Sequence, residues 1–377
     1  MRADGSSRFP SVNHWGYFPS GAIAWKFSNE KFLKKSKVLS EGKLRSSYGQ
    51  TGNNRVGDFD YLTRYFNPIQ SNYVFNNEYI GNVVATSLGN SKLKWETTEQ
   101  IDLGLDVGFL KQRITLSADI YRKTTKDLLL RAALPQSSGF ATATKNIGSI
   151  QNQGLEFTLN TENIKTKDFT WNSSFNISFN ESKVLALSDN QTELLSTISW
   201  DTAWNNIPAY IAKIGQPLGL MYGYISEGTY KYADFDQDAN GNYILKPTVT
   251  ANGNIRANIK PGDIKYKDIN GDLNVTAADY TVIGNGLPKH IGGFTNNFIY
   301  KGFDLNVFFQ GVIGVDVYNE YKHLTDFSSI WPGGNYGSRT LDAWSPQNPN
   351  STIPSVTLTD TNNEGRYSSY FIENGSY

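Results

Sequence analysis

The 377-residue chain contains no cysteine, two methionines and three histidines, and its 35 Lys and Arg are matched by 35 Asp and Glu. The missing cysteine removes disulfide frameworks, thiolate metal sites and cysteine nucleophiles, and it is compatible with any compartment. Zero formal charge gives no long-range attraction for nucleic acid or anionic lipid, and nucleic-acid binding is set aside on that ground. Long apolar runs are absent too. Stretches such as 128–130 fall far below the ~20 residues of a membrane-spanning helix. The opening residues Met1 to Arg8 lack the apolar core of a signal peptide. His14, His290 and His323 are isolated, so no zinc cluster or histidine-dependent nucleophile is indicated, and surface or interfacial positions are expected for them. There is no Gly-x-Ser-x-Gly elbow and no P-loop.

What the chain has in quantity is strand-forming residues: 22 Tyr, 21 Phe and 8 Trp, punctuated by 34 Gly. From Ile101 to Phe109 every odd position is apolar and every even position is Asp or Gly, which is a strand with one apolar face. After residues 110–113 the pattern resumes at Ile114, Leu116, Ala118 and Ile120, predicting a hairpin. A second hairpin is predicted from Leu155, Phe157 and Leu159 to Phe175, Ile177 and Phe179 around a turn at 162–168. A third runs from Phe294 and Tyr300 through Lys301-Gly302 to Phe303, Leu305 and Phe309.

Connections alternate between short ones at 110–113, 162–168 and 301–302 and long ones at 124–151 and 181–290. Compact soluble domains rarely use loops beyond ~15 residues. The predicted fold is therefore all-β, an antiparallel up-and-down transmembrane barrel with short periplasmic turns and long extracellular loops. Asp102, Asp106, Asp119, Glu156, Asn172, Asn176 and Asp304 supply its wet face. Trp95, Tyr121, Trp171, Tyr300 and Tyr318 fit aromatic girdles, although core packing would explain them equally well. A soluble sandwich alternates in the same way, so a secreted all-β glycan-binding or adhesin module is the alternative, and a β-rich glycoside hydrolase is a third reading.

Several strings narrow the choice. Leu44-Arg45-Ser46-Ser47-Tyr48-Gly49-Gln50-Thr51-Gly52-Asn53, Leu93-Lys94-Trp95-Glu96, Asn146-Ile147-Gly148-Ser149-Ile150-Gln151-Asn152-Gln153-Gly154-Leu155-Glu156, Gly215-Gln216-Pro217-Leu218-Gly219 and Gly262-Asp263-Ile264-Lys265-Tyr266 appear in this order. Together they resemble the SusC/RagA-type TonB-dependent transporters of Bacteroidetes. The resemblance implies a plugged barrel of about 22 strands in the outer membrane. It further implies import of bulky glycan or peptide fragments, a SusD-like surface lipoprotein as partner, and energy supplied through TonB. Residues 1–377 would form part of one barrel domain, without plug, TonB box or N-terminal strands, cut at both ends. No catalytic residue is expected.

Two site expectations remain. Asp268, Asn270, Asp272, Thr276 and Asp279 place oxygens at positions 1, 3, 5, 9 and 12 of a loop, which resembles a dockerin-type Ca²⁺ loop, with Leu273 where Gly is usual. Asp236 to Asn242 has only the first half of that spacing and reads as a solvated hairpin tip. Trp200, Trp204 and Trp331, in long connections, are the candidates for stacking on substrate.

Overall fold

A computed structural model describes residues 1–67, 73–81, 83–188, 191–198, 207–327, 334–357 and 365–377. They form two compact units. The first comprises Met1–Glu193, Lys213–Pro217 and Lys289–Gly311, and the second Leu194–Ala212, Leu218–Pro288 and Val312–Tyr377.

The first unit is built on an eight-stranded antiparallel sheet. Its strands are β1 (Ser20–Trp25), β2 (Leu39–Asn53), β3 (Glu96–Phe109), β4 (Ile114–Lys126), β5 (Ser149–Lys165), β6 (Phe169–Ala186), β7 (His290–Tyr300) and β8 (Phe303–Ile313). Order along the sheet equals order along the chain. The predicted hairpins are β3–β4, β5–β6 and β7–β8, and the sheet is the expected up-and-down meander, open at β1 and β8. The second turn is tighter than the sequence suggested: β5 runs on to Lys165 over a bulge at Glu162/Ile164, leaving only 166–168. Between β6 and β7 lie 103 residues.

Register lines up side chains across the strands. One row reads Ile23, Ser46, Leu103, Ile120, Leu155, Phe179 and His290, and the next Trp25, Leu44, Leu105, Ala118, Phe157, Ile177 and Gly292. These rows are not a core. Ile101 is 55% exposed, Leu103 46%, Ile120 55% and Leu305 58%. A folded soluble domain does not leave a contiguous apolar face of this size in water. Asp102, Asp106, Asp119 and Glu156 occupy the opposite face, the three aspartates half-buried and Glu156 exposed. The polarity is that of a barrel wall, apolar toward lipid and polar toward the lumen.

True cores lie elsewhere. In the first unit Phe9, Val56 and Leu93 are buried with Trp95 against them. In the second, Ile198, Ala209, Phe327, Tyr367 and Phe371 form one cluster, Tyr230, Phe235, Leu245, Ala251 and Ile259 another, and Tyr224, Ile264, Tyr266 and Val275 a third. This unit carries short strands, a four-stranded sheet and the five-residue helix Tyr321–Thr325.

The girdle expectation holds for two aromatics of five. Trp171, stacked on Phe298, and Tyr300 sit on the apolar face at the short-turn end. Trp95 packs on Phe9 and Phe18, and Tyr318 stacks on Tyr367 at 4.3 Å, so both serve cores. Tyr121 lies on the polar face and donates to Asn180 Oδ1 at 3.0 Å. His323 is also misplaced by the sequence reading: it is 2% exposed, among Phe327 and Phe371, because the helix turns it inward.

Candidate functional site

The polar face of the sheet is organised around Arg45. Its Nε and Nη2 donate to the two Asp106 oxygens at 2.8 and 3.0 Å, and Nη2 also donates to Asp119 Oδ1 at 2.8 Å. Ser117 Oγ donates to Asp106 at 2.7 Å. A planar guanidinium can hold two carboxylates this way where an ammonium cannot. The reach depends on Gly104, which lies between Arg45 and Asp119 in the register. A Cβ there would lie 2.6 Å from Arg45 Cζ and overlap the Asp119 carboxylate. The absent side chain lets one cation cross β3 and tie three strands together on the luminal side. Sequence reading placed Asp102, Asp106 and Asp119 on the wet face but missed Arg45. Its separations of 61 and 74 residues from its partners put the cluster beyond any local pattern.

Along the same face a groove of about 510 Å³ is lined by Ser20, Ala22, Ser47, Thr51, Thr98, Gln100 and Lys123, among others. Its polar lining is hydroxyl, amide and ammonium, groups that hydrogen-bond to sugars or peptide backbones. Trp200, Trp204 and Trp331 lie outside the described residues.

In the second unit the Asp-rich segment closes into one loop whose oxygens face its own backbone. Asp268 accepts from the N–H groups of Gly271 and Leu273 at 2.7 and 2.8 Å, Asn270 Oδ1 from Asp272, and Asp272 Oδ1 from Asn274. Leu273 takes φ 64°, the left-handed conformation usually left to Gly at that place. Asp279 is fully buried and accepts from Ile269, Asn270 and Thr276 N–H groups, while Thr276 Oγ1 accepts from Ala278. Burial pushes the Asp279 carboxyl up, and these donors more than offset it, so it stays below the usual carboxylate range. Among the described residues no group of three or more His, Asp or Glu stands ready to hold a metal.

The half-motif at 236–242 is the hairpin tip its spacing suggested. Strands Phe235–Gln237 and Tyr243–Leu245 pair, and Asp238 accepts from the N–H groups of Asn240 and Asn242. Nearby, Asp263 is buried and accepts from Lys260 N–H at 2.6 Å; burial pushes its carboxyl up to about 7.

Comparison with known proteins agrees with this geometry. The family described as "TonB dependent receptor-like, beta-barrel" matches residues 1–367. TonB-dependent receptor P39 of Formosa agariphila is 36% identical over 399 residues, covering all of this chain and 37% of that protein. TonB-dependent receptor SusC of Bacteroides thetaiotaomicron is 34% identical over 386 residues, covering all of this chain and 34% of SusC. The solved RagAB peptide transporter superposes with a TM-score of 0.75 at 24% identity, over 99% of this chain and 37% of that one, which shows the shared fold. The chain thus spans a little over a third of the length of the relatives it matches. The exposed apolar rows leave the sandwich alternative without support. The chain belongs to the TonB-dependent receptor β-barrel family, with SusC and RagAB among the proteins it is similar to, and is an outer-membrane protein.

Proposed function

We propose that the protein carrying this chain imports bulky nutrients, glycan or peptide fragments, by binding and gated passage with no covalent step, and that residues 1–377 are part of its single barrel domain. The observation that carries this reading is the inverted polarity of the sheet. Exposed Leu, Ile and Phe rows face outward, and the opposite face offers an Arg45-braced wall with a groove of hydroxyls, amides and Lys123. Such a surface suits a hydrated, hydrogen-bonding solute better than an apolar one.

A SusD-like surface lipoprotein as lid and TonB as energy source belong to the same proposal, supported by the likeness to SusC and RagAB. So do Trp200, Trp204 and Trp331 as stacking residues. So does Ca²⁺ at the 268–279 loop, with Asp268, Asn270, Asp272, Thr276 and Asp279 as oxygen donors. There the metal would compete with backbone N–H groups for the same oxygens, which predicts weak binding.

The decisive experiment is uptake of labelled oligosaccharides and oligopeptides by cells with and without the gene, each with TonB intact or inactivated. Uptake of one class should require both. Uptake that persists without either, for every solute tried, overturns the proposal.

A further inference from the structure

Four connections meet at one end of the sheet, joined edge to edge. Leu110 N–H donates to Val38 O, Glu162 N–H to Arg113 O, and Lys301 N–H to Asp168 O. Three of these connections, 110–113, 166–168 and 301–302, have two to four residues, as expected of the trimmed end of a barrel. The fourth, between β1 and β2, has thirteen, 26–38.

The four are also unlike the chain in charge. They contain nine Lys or Arg, namely Lys26, Lys31, Lys34, Lys35, Lys37, Lys111, Arg113, Lys167 and Lys301, against only Glu30 and Asp168. A neutral chain with 35 charges of each sign is therefore strongly polarised, and the zero sum that argued against anionic lipid hides a basic rim.

The long connection is the centre of this rim. Glu30 accepts from Trp25 Nε1 and Glu41 pairs with Lys26, while Lys31, Lys34, Lys35 and Lys37 are exposed and form no ion pair among the described residues. Among and just after them, Phe32 is 75% exposed and Val38 58%. The segment is fixed to the sheet: the Phe27 ring lies where a Cβ of Gly42 would be, and Leu39 N–H donates to Ser36 Oγ at 3.0 Å. Trp25 and Leu44 adjoin it directly on the outward face, and further along the same end of the sheet lie Trp171 and Tyr300, with Lys301 Nζ 5.4 Å from the Tyr300 ring centre.

We propose that this rim, centred on Lys31, Lys34, Lys35 and Lys37, binds the anionic headgroups of phospholipids in the leaflet at the short-turn end, with Phe32 and Val38 entering the headgroup–acyl boundary. The occupant follows from continuity and charge. The rim begins where the lipid-facing wall ends, at the depth where phosphates lie, and basic residues interleaved with apolar ones anchor at that boundary. A soluble polyanion or a protein partner would explain the charge but not the apolar residues beside the wall. The inference rests on the wall meeting lipid, which the test examines separately.

The full-length protein is purified in mild detergent, placed in nanodiscs of phosphatidylcholine alone or of equal phosphatidylcholine and phosphatidylglycerol, and the lipids retained after release into detergent are counted by native mass spectrometry. Phosphatidylglycerol should be enriched at least fivefold over phosphatidylcholine. Joint substitution Lys31→Gln, Lys34→Gln, Lys35→Gln and Lys37→Gln, or 0.5 M salt during the incubation with lipid, should abolish the enrichment, while Arg55→Gln with Lys92→Gln at the other end should not. Equal retention of both lipids, or enrichment that survives the fourfold substitution, overturns the proposal. Failure to enter even pure phosphatidylcholine discs would overturn it together with the lipid-facing wall.

Discussion

Ser46 and Ser47 are neighbours in β2 with the same side chain, and they face opposite solvents. Ser46 pairs with Leu103 and Ile23 in an apolar row, whereas Ser47 pairs with Asp102 and Ala22 on the polar face. Replacing each by Arg makes the two faces report their surroundings with identical chemistry. Ser46 is the eighth of the fifteen residues of β2. At about 3.4 Å per residue and a tilt near 40° that strand covers roughly 40 Å of membrane normal, so its middle lies inside the ~25 Å apolar band. An Arg at that depth costs about 2–4 kcal/mol on the lipid face. The ratio of folded to unfolded protein should fall about 30- to 700-fold for Ser46→Arg. Ser47→Arg should stay within about 0.5 kcal/mol, because its charge reaches Asp102 and luminal water. The assay is urea-dependent folding of the full-length protein into phosphatidylcholine vesicles, followed by the mobility shift of folded barrels on unheated gels. Equal midpoints, or a larger loss for Ser47→Arg, would refute the assignment of faces.

Gly104→Val should displace Arg45 from Asp119 and cost about 1–2 kcal/mol, since a charge-assisted bond is lost at a site about a quarter exposed, and the same vesicle titration measures it. Asp263 titrates near 7 in the folded chain against 3.8 unfolded, so the stability it gives is full below pH 4 and fades as pH rises to 7. A difference of about three pH units corresponds to about 4 kcal/mol, so Asp263→Asn should raise the melting temperature at pH 8 but not at pH 4, as followed by Trp fluorescence. Calorimetric titration of the full-length protein with Ca²⁺ should show binding at about 0.1–1 mM that Asp268→Asn abolishes. No heat above background at 5 mM would remove the metal from the loop.

The wall strands were legible because each carries its own evidence. Period-two alternation in 101–109 and the Lys301-Gly302 turn are local properties, and they survive without knowledge of any partner. Direction was harder to read. Alternation says that two faces differ, but only the exposure of Ile101, Leu103 and Ile120 in a register of eight strands says which one meets lipid. Tyr121, expected near a strand end, is the eighth of thirteen residues of β4 and points to Asn180. Arg45 and the basic rim escaped for a shared reason: their members come from distant segments and meet only once pairing is known. The 181–290 stretch, seen in sequence as one long loop, holds part of a second unit whose short strands are set by burial of Tyr230, Ile264 and Tyr266.

The 103 residues between β6 and β7 also bear on how the wall is made. The other connections are shorter, from two residues at 301–302 to 42 at 54–95, so their strands start nearer to one another along the chain. Bringing β7 beside β6 costs about 3 kcal/mol more chain entropy than closing a four-residue turn, by the logarithmic dependence on loop length. The intervening segment lowers that cost if it condenses first, since the clusters around Tyr230 and Tyr266 are built from its own residues and their burial shortens the span between its ends. On that order the sheet would assemble in two instalments, β1 to β6 and β7 to β8, with the joint between them as the slow step.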